Sequence, residues 1–251
     1  MESFDRVKLL IGEDIFDKIK NKKVAIFGLG GVGGPTCDAI ARFGISNLLL
    51  VDFDVVKESN MNRLSIADGR DIGKPKTEVM KNRILSFNKE ANILTYNQFM
   101  DAEAYDEIIE SYNPDFCVDA VDSLNPKIAT IERLYKSKKK FISSMGAGGR
   151  LDPSKVKYGK LDDVVNCGLA TRIRSILRKH NIRTNKIKTV YSTEQPIKPI
   201  PPKEDEISER GRTRGTQSSC MIVPTVFGMF IAHKVISYFI EETTKEIKTF
   251  Q

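Results

Sequence analysis

The stretch Lys23-Val24-Ala25-Ile26-Phe27-Gly28-Leu29-Gly30-Gly31-Val32-Gly33-Gly34 decides the fold. Residues 23–27 form a short apolar run, which reads as a buried strand. The run passes straight into Gly-x-Gly-x-x-Gly, and residues 36–43 then take helical spacing, stopped by Gly44. Glycines at such a junction let the backbone approach a phosphate. The helix N-terminus adds N–H donors and partial positive charge. A lone glycine pattern is weak, but one that follows a strand and opens a helix reads as a nucleotide site. Gly28, Gly30, Gly31, Val32 and Gly33 are its candidate phosphate-facing residues.

Strands and helices alternate outward from this point. Residues 47–52 read as a second buried strand, 75–87 as a helix, 93–96 as a strand and 102–110 as a helix. Residues 116–119 and 141–144 read as strands, with a helix at 127–135 between them. Alternation of this kind means βαβ units and a mostly parallel, Rossmann-like α/β sheet with helices on both faces. Before it, residues 4–20 have helical apolar spacing broken at Gly12. After it, residues 155–158 and 188–191 read as strands flanking a basic helix at 167–180. Residues 196–215, rich in Pro, Glu, Arg and Gly, read as a mobile loop. We expect a single domain over 1–251: N-terminal helices at 1–22, a nucleotide-binding core at 23–150 and a C-terminal extension at 151–251.

Candidate site residues gather at the strand ends. Asp52 closes the second strand, 24 residues after Gly28, where an acid can take the ribose hydroxyls of an adenosine. Asp54 can share or replace that role. Asn60, Asn62 and Arg63 follow in a long loop, and Lys74 and Lys76 flank Pro75 at the next helix start. Asp119 and Asp122 lie at the end of the fourth strand, the edge where open α/β sheets bind ligands. Cations and a carboxylate converging on one nucleotide suit chemistry at a phosphate, where the carboxylate can hold Mg²⁺. Hydride transfer needs none of them. The two histidines, His180 and His233, fall outside the expected site.

Composition narrows the class. The 251 residues carry 40 Lys and Arg against 33 Asp and Glu, a net charge of +7. Between Val164 and Thr193 there is no acid, and Arg172, Arg174, Arg178, Lys179, Arg183, Lys186 and Lys188 supply the whole excess. Such a block suits a polyanion such as RNA as well as a solvated helix face. Four scattered cysteines form no zinc spacing, and residues 1–23 lack the apolar core of a leader, so a reducing cytoplasm is expected. Residues 221–240 approach the length of a membrane span but contain a charge, and are expected to be a buried or dimer-facing helix.

The chain resembles the ubiquitin-activating-enzyme-like superfamily of ThiF, MoeB and HesA proteins. Phe4-Asp5-Arg6 with Leu10 to Glu13, then Gly28 to Gly33, Asp52-Phe53-Asp54, Asn62-Arg63, Gly73 to Lys76 and Asp119 to Asp122 follow that superfamily's ATP-site motifs in order. Ser143 to Gly148, Leu151-Asp152-Pro153 and Val190 to Glu194 leading into Pro196 to Pro199 are similar to its tRNA threonylcarbamoyladenosine dehydratases. Leu64 stands where the family usually has Gln, and paired CxxC zinc ligands of the ubiquitin-like-protein activators are absent. The resemblance implies ATP with Mg²⁺, tRNA as substrate and a homodimer. It also implies adenylation of the nucleoside's carboxylate followed by ring closure with loss of water. In these terms Asp52 binds ribose, Gly31 and its neighbours bind phosphates, Arg63 and Lys76 stabilise the phosphoryl charge, and Asp122 holds Mg²⁺. Arg6 enters as an arginine finger from the second subunit, and Arg172, Arg174, Arg178 and Lys179 contact the tRNA backbone. A sulfur-relay partner, a cysteine desulfurase with its acceptor, docks on some relatives. Three alternatives stay open: adenylation of a sulfur-carrier protein, where Cys167 or Cys220 would matter, an NAD-dependent dehydrogenase, and a nucleotide sensor without catalysis.

Overall fold

The computed structural model describes residues 3–98, 102–200 and 217–249. Its helices are α1 (Asp5–Ile11), α2 (Glu13–Ile19), α3 (Gly33–Arg42), α4 (Lys76–Phe87), α5 (Ala102–Tyr112), α6 (Leu124–Lys136), α7 (Gly168–Lys179) and α8 (Ile222–Thr249). Its strands are β1 (Lys23–Phe27), β2 (Asn47–Val51), β3 (Asn92–Tyr96), β4 (Phe116–Asp119), β5 (Phe141–Ser144), β6 (Val156–Lys160) and β7 (Lys188–Ser192). The expected elements are present in the expected order. The helix after the glycine run starts at Gly33 rather than at residue 36, because its first turn closes on the glycines themselves, with Gly34 N–H donating to the Gly30 carbonyl (3.0 Å). Most of the stretch expected as a mobile loop, from residue 201 on, lies outside the described residues.

The strands form one sheet in the order β3-β2-β1-β4-β5-β7-β6. All neighbours are parallel except β6, which runs antiparallel to β7 along the edge. Chain order reverses between β1 and β4, so a crevice opens there at the carboxyl ends of the strands. The C-terminal strands β6 and β7 extend this same sheet.

Each face of the sheet carries its own helices. On one side α8 buries Val223, Phe227, Ile231, Val235 and Phe239 with residues of α3, β1 and β2. Gly228 permits this crossing: a Cβ there would lie 2.6 Å from the Val32 carbonyl oxygen. On the other side Tyr105 of α5 and Leu134 of α6 pack with Phe27, Leu49 and Cys117, and α7 packs against α6 through Ile128, Ile131, Ile173 and Leu177. α8 is long and apolar enough to cross a membrane, yet 44% of its most apolar window is buried within the protein.

One polar pair sits inside this packing. Lys127 and Asp119 are both fully buried, with Nζ 2.8 Å from Oδ2. Lys127 Nζ also donates to the Val121 carbonyl (2.8 Å), and the Ser143 hydroxyl donates to Asp119 Oδ2 (2.6 Å). Breaking a buried pair by removing one partner leaves an uncompensated charge, which costs about 3–5 kcal/mol. Lys127→Met should therefore lower the unfolding free energy by about that amount in urea denaturation. A loss no greater than the ~1 kcal/mol of a surface ion pair would contradict this assignment.

Candidate active site

The crevice between β1 and β4 holds a cavity of about 260 Å³. Gly28, Gly30, Asp52, Asp54, Lys76 and Asp122 of the expected set line it, together with Phe53, Gln98, Ser123, Pro126 and Thr130. Its floor is set by backbone approach. Gly28 has φ +88°, and a Cβ there would lie 2.8 Å from the Ala120 carbonyl oxygen, so the turn after β1 and the turn after β4 touch. A Cβ at Gly33 would lie 1.8 Å from the Gly28 carbonyl oxygen. At Gly30, by contrast, added atoms would meet nothing within 4 Å. Among these glycines, Gly30 is where a ligand has room to approach the main chain.

Asp52 is held by two backbone donors: Leu29 N–H to Oδ2 (2.6 Å) and Asp54 N–H to Oδ1 (2.8 Å). A carboxylate has about four lone-pair sites, so acceptor capacity remains for ribose hydroxyls. Burial pushes the Asp52 pKa up, opposed by the Lys76 charge and the two N–H donors. The folded protein thus holds that proton more tightly than the unfolded chain. The charged carboxylate costs stability above its folded pKa, and that cost disappears below the ordinary value of 3.8.

Lys76 is the first residue of α4 and is 7% exposed. A buried cation at a helix N-terminus opposes both desolvation and the helix dipole. Its ammonium is 2.8 Å from Asp54 Oδ2, and Lys76 N–H donates to the Asp54 carbonyl (3.1 Å). A bridge between Val55 and Pro75 pins the two segments together. Asp54 is therefore engaged with Lys76 rather than free to replace Asp52.

Arg63 lies beside the glycine turn: a Cβ on Gly31 would come within 3.4 Å of the Arg63 carbonyl oxygen and 3.8 Å of its Cβ. Its guanidinium donates to the Ser59 carbonyl (2.8 Å) and Asn62 Oδ1 (3.0 Å). Asn60 Oδ1 accepts from Lys57 N–H (3.2 Å), and Asn62 Nδ2 donates to the Ser219 carbonyl (2.9 Å). These two amides shape the loop. Leu64 is buried in the main core. Val32 precedes α3, where its carbonyl accepts from Thr36.

Of the paired acids after β4, Asp119 is committed to Lys127, whereas Asp122 is exposed at the cavity. Asp122 accepts from the Ser123 hydroxyl (3.3 Å). No group of three or more His, Cys, Asp or Glu side chains among the described residues forms a metal cluster. Mg²⁺ commonly uses one or two carboxylates plus substrate phosphates, and the exposed Asp122 suits that donor set.

Arg6 is exposed on α1. Phe4, two residues before it, packs at a tilt against Phe16 and lies near Gly44, just beyond the C-terminal end of α3. The glycine turn lies at the other end of α3, about 15 Å away for ten residues. The chain's own fold therefore separates Arg6 from the cavity. Cys167 is buried at the start of α7, Cys220 lies near the Arg150 carbonyl (3.8 Å), and neither cysteine nor histidine lines the cavity.

The four bases expected on RNA separate into two kinds. Arg174 donates to the carbonyls of Leu161 (3.0 Å) and Val164 (2.7 Å), and Arg178 pairs with Asp162 (3.0 Å). The Arg174 guanidinium is turned back onto the loop before its helix, whereas Arg178 holds that loop from the surface, its side chain 60% exposed. Arg172 and Lys179 are exposed, as Arg178 is. Sequence reasoning also passed over Lys127 and Gln98, and named Phe53 only as part of a motif. The signal for Phe53 and Gln98 was position, at the ends of β2 and β3 on the ligand-binding edge.

The sequence profile of the ThiF family matches residues 4–251. The chain is 32% identical over 243 residues to a tRNA threonylcarbamoyladenosine dehydratase of Bacillus subtilis, covering 94% of each chain. It is 33% identical over 209 residues to a second such dehydratase in Saccharomyces cerevisiae, covering 80% of this chain but only 46% of that longer protein. Its fold is similar to that of the Escherichia coli tRNA N6-threonylcarbamoyladenosine dehydratase crystallised with AMP. The TM-score is 0.85 at 24% identity, over 96% of this chain and 95% of the other.

Because its pKa is raised, Asp52 should gain its proton at a pH above 3.8. Adenosine nucleotide affinity should fall as pH drops through that raised value, and Asp52→Asn should bind weakly at every pH. Calorimetric titration of AMP between pH 7 and pH 4 reads this. Equal pH dependence in the wild type and the variant would remove Asp52 from the ribose site.

Proposed function

The chain belongs to the ThiF family, and from that premise we propose that it dehydrates threonylcarbamoyladenosine in tRNA, using ATP to adenylate the nucleoside's carboxylate. The observation that carries this reading is the buried Lys76 ammonium on the cavity wall, facing a glycine turn with open space at Gly30. A carboxylate must approach an anionic phosphate in a poorly hydrated crevice, and unscreened repulsion there is large. Lys76 and Arg63 offset it by binding phosphate oxygens. Asp52 accepts the ribose hydroxyls, and Gly30 admits the phosphate chain. Asp122 would hold Mg²⁺, which when bound supplies charge neutralisation on the phosphates.

The bonds balance as follows. A carboxylate oxygen attacks the α-phosphorus and the pyrophosphate group leaves. A nucleophile within the same nucleoside side chain then attacks the acyl carbon, losing its proton, and AMP leaves with the former carboxylate oxygen. The nucleoside is lighter by one water, and no covalent link to a cysteine is required.

The site is completed by a second copy. Arg6 lies an α3 length from its own cavity and would act on the partner's phosphates. Apolar side chains left exposed support that pairing: Leu9 (77%) and Leu10 (75%) on α1, and Met221 just before α8 with Ile222, Met229 and Phe230 on it. Large apolar side chains left in water on both elements are the kind of surface that protein contacts cover. The α8 stripe is read as a dimer face rather than a membrane anchor. Arg172 and Lys179 would position the tRNA backbone.

ATP turnover to AMP and pyrophosphate should require tRNA carrying threonylcarbamoyladenosine, with nucleosides lighter by one water afterwards. Turnover with a sulfur-carrier protein and not with this tRNA would contradict the proposal. Lys76→Ala and Arg6→Ala should each lower kcat by about 10²–10³-fold, the cost of losing one preorganised charge donor. Mixing the two inactive variants should restore partial activity, since a mixed dimer holds one intact site. No restoration on mixing would place Arg6 outside the partner's site.

A further inference from the structure

We infer that the outer edge of the sheet carries an RNA-backbone site, built from Lys160, Lys188 and Lys234 around the ring of Tyr158. It rests on the tRNA-substrate reading and adds a surface on the face of the sheet opposite α7. Lys160 and Lys188 are directly opposite in the β6–β7 register. Side chains so paired share a face, and like charges there are destabilising. Lys234 joins them from α8, its ammonium 4.7 Å from the Tyr158 ring centre, and the Lys188 ammonium is 5.8 Å from the same centre. Tyr158 is two residues from Lys160, on the same face, and is 37% exposed.

No carboxylate among the described residues lies within 4 Å of any of these three ammoniums. The nearby acid Glu241 acts on the Tyr158 hydroxyl. Three cations are thus brought together by strand register and a shared aromatic prop, none of them in an ion pair with the neighbouring acids Glu241 and Asp163, the latter taken up by Lys160 N–H (2.7 Å). The tyrosine holds two of them through cation–π contact, which limits their freedom before an anion arrives. A row of phosphodiesters supplies the matching charge. Each phosphate neutralised by a lysine adds about 0.7–0.9 to the slope of log affinity against log salt.

The test is the salt slope of tRNA binding, measured with the full-length protein and threonylcarbamoylated tRNA. The triple variant Lys160→Gln/Lys188→Gln/Lys234→Gln should lose about 2 from that slope, with AMP affinity unchanged. Tyr158→Phe should bind as the wild type, and Tyr158→Leu should bind more weakly because the prop is gone. A full wild-type slope in a folded, AMP-binding triple variant overturns the site while leaving the dehydratase reading intact. Loss of binding to a sulfur-carrier protein, with the tRNA slope kept, assigns the patch to protein and overturns it too. A wild type that binds no tRNA overturns both readings.

Discussion

The buried contact between Lys127 and Asp119 is the constraint on which the site depends. Asp119 ends β4, and Lys127 lies in the first turns of α6. Their ion pair, with the Lys127 bond to the Val121 carbonyl, closes the turn that carries Asp122. That turn is the one against which Gly28 rests, at a separation only glycine tolerates. The floor of the cavity and one of its carboxylates are therefore fixed by the same buried charge. A hydrophobic pair of equal volume can be as stable as a buried ion pair, but it would not hold the Val121 carbonyl in place.

Around that floor the charges are arranged in opposition. Lys76 is paired with Asp54 at a helix start, and the Lys76 charge steadies Asp52 against its burial. An incoming phosphate can substitute for Asp54 as the partner of Lys76, so charge separation is prepared before the nucleotide binds. Arg63, by contrast, is held by its own loop.

Much of this was legible because it is local. The strand-to-glycine-to-helix junction, Asp52 at a strand end and Lys76 after Pro75 are readable from adjacent residues, since each position follows from one element's geometry. Lys127 was not legible: a lysine in an amphipathic helix reads as solvated, and only the depth of Asp119 reveals otherwise. Arg174 and Arg178 read as free bases because their partners, the carbonyls of Leu161 and Val164 and the carboxylate of Asp162, come from a loop before the helix. The Lys160–Lys188 pairing was hidden for a related reason, as cross-strand register is set by tertiary packing. Leu64, read as a departure from the family pattern, is a core residue here.

The most direct measurement follows the oxygen. With ¹⁸O in the carboxylate of the threonylcarbamoyl group, the account predicts that the label leaves in the phosphate of AMP. Label recovered in inorganic phosphate or in water would contradict carboxylate adenylation, whatever the identity of the product.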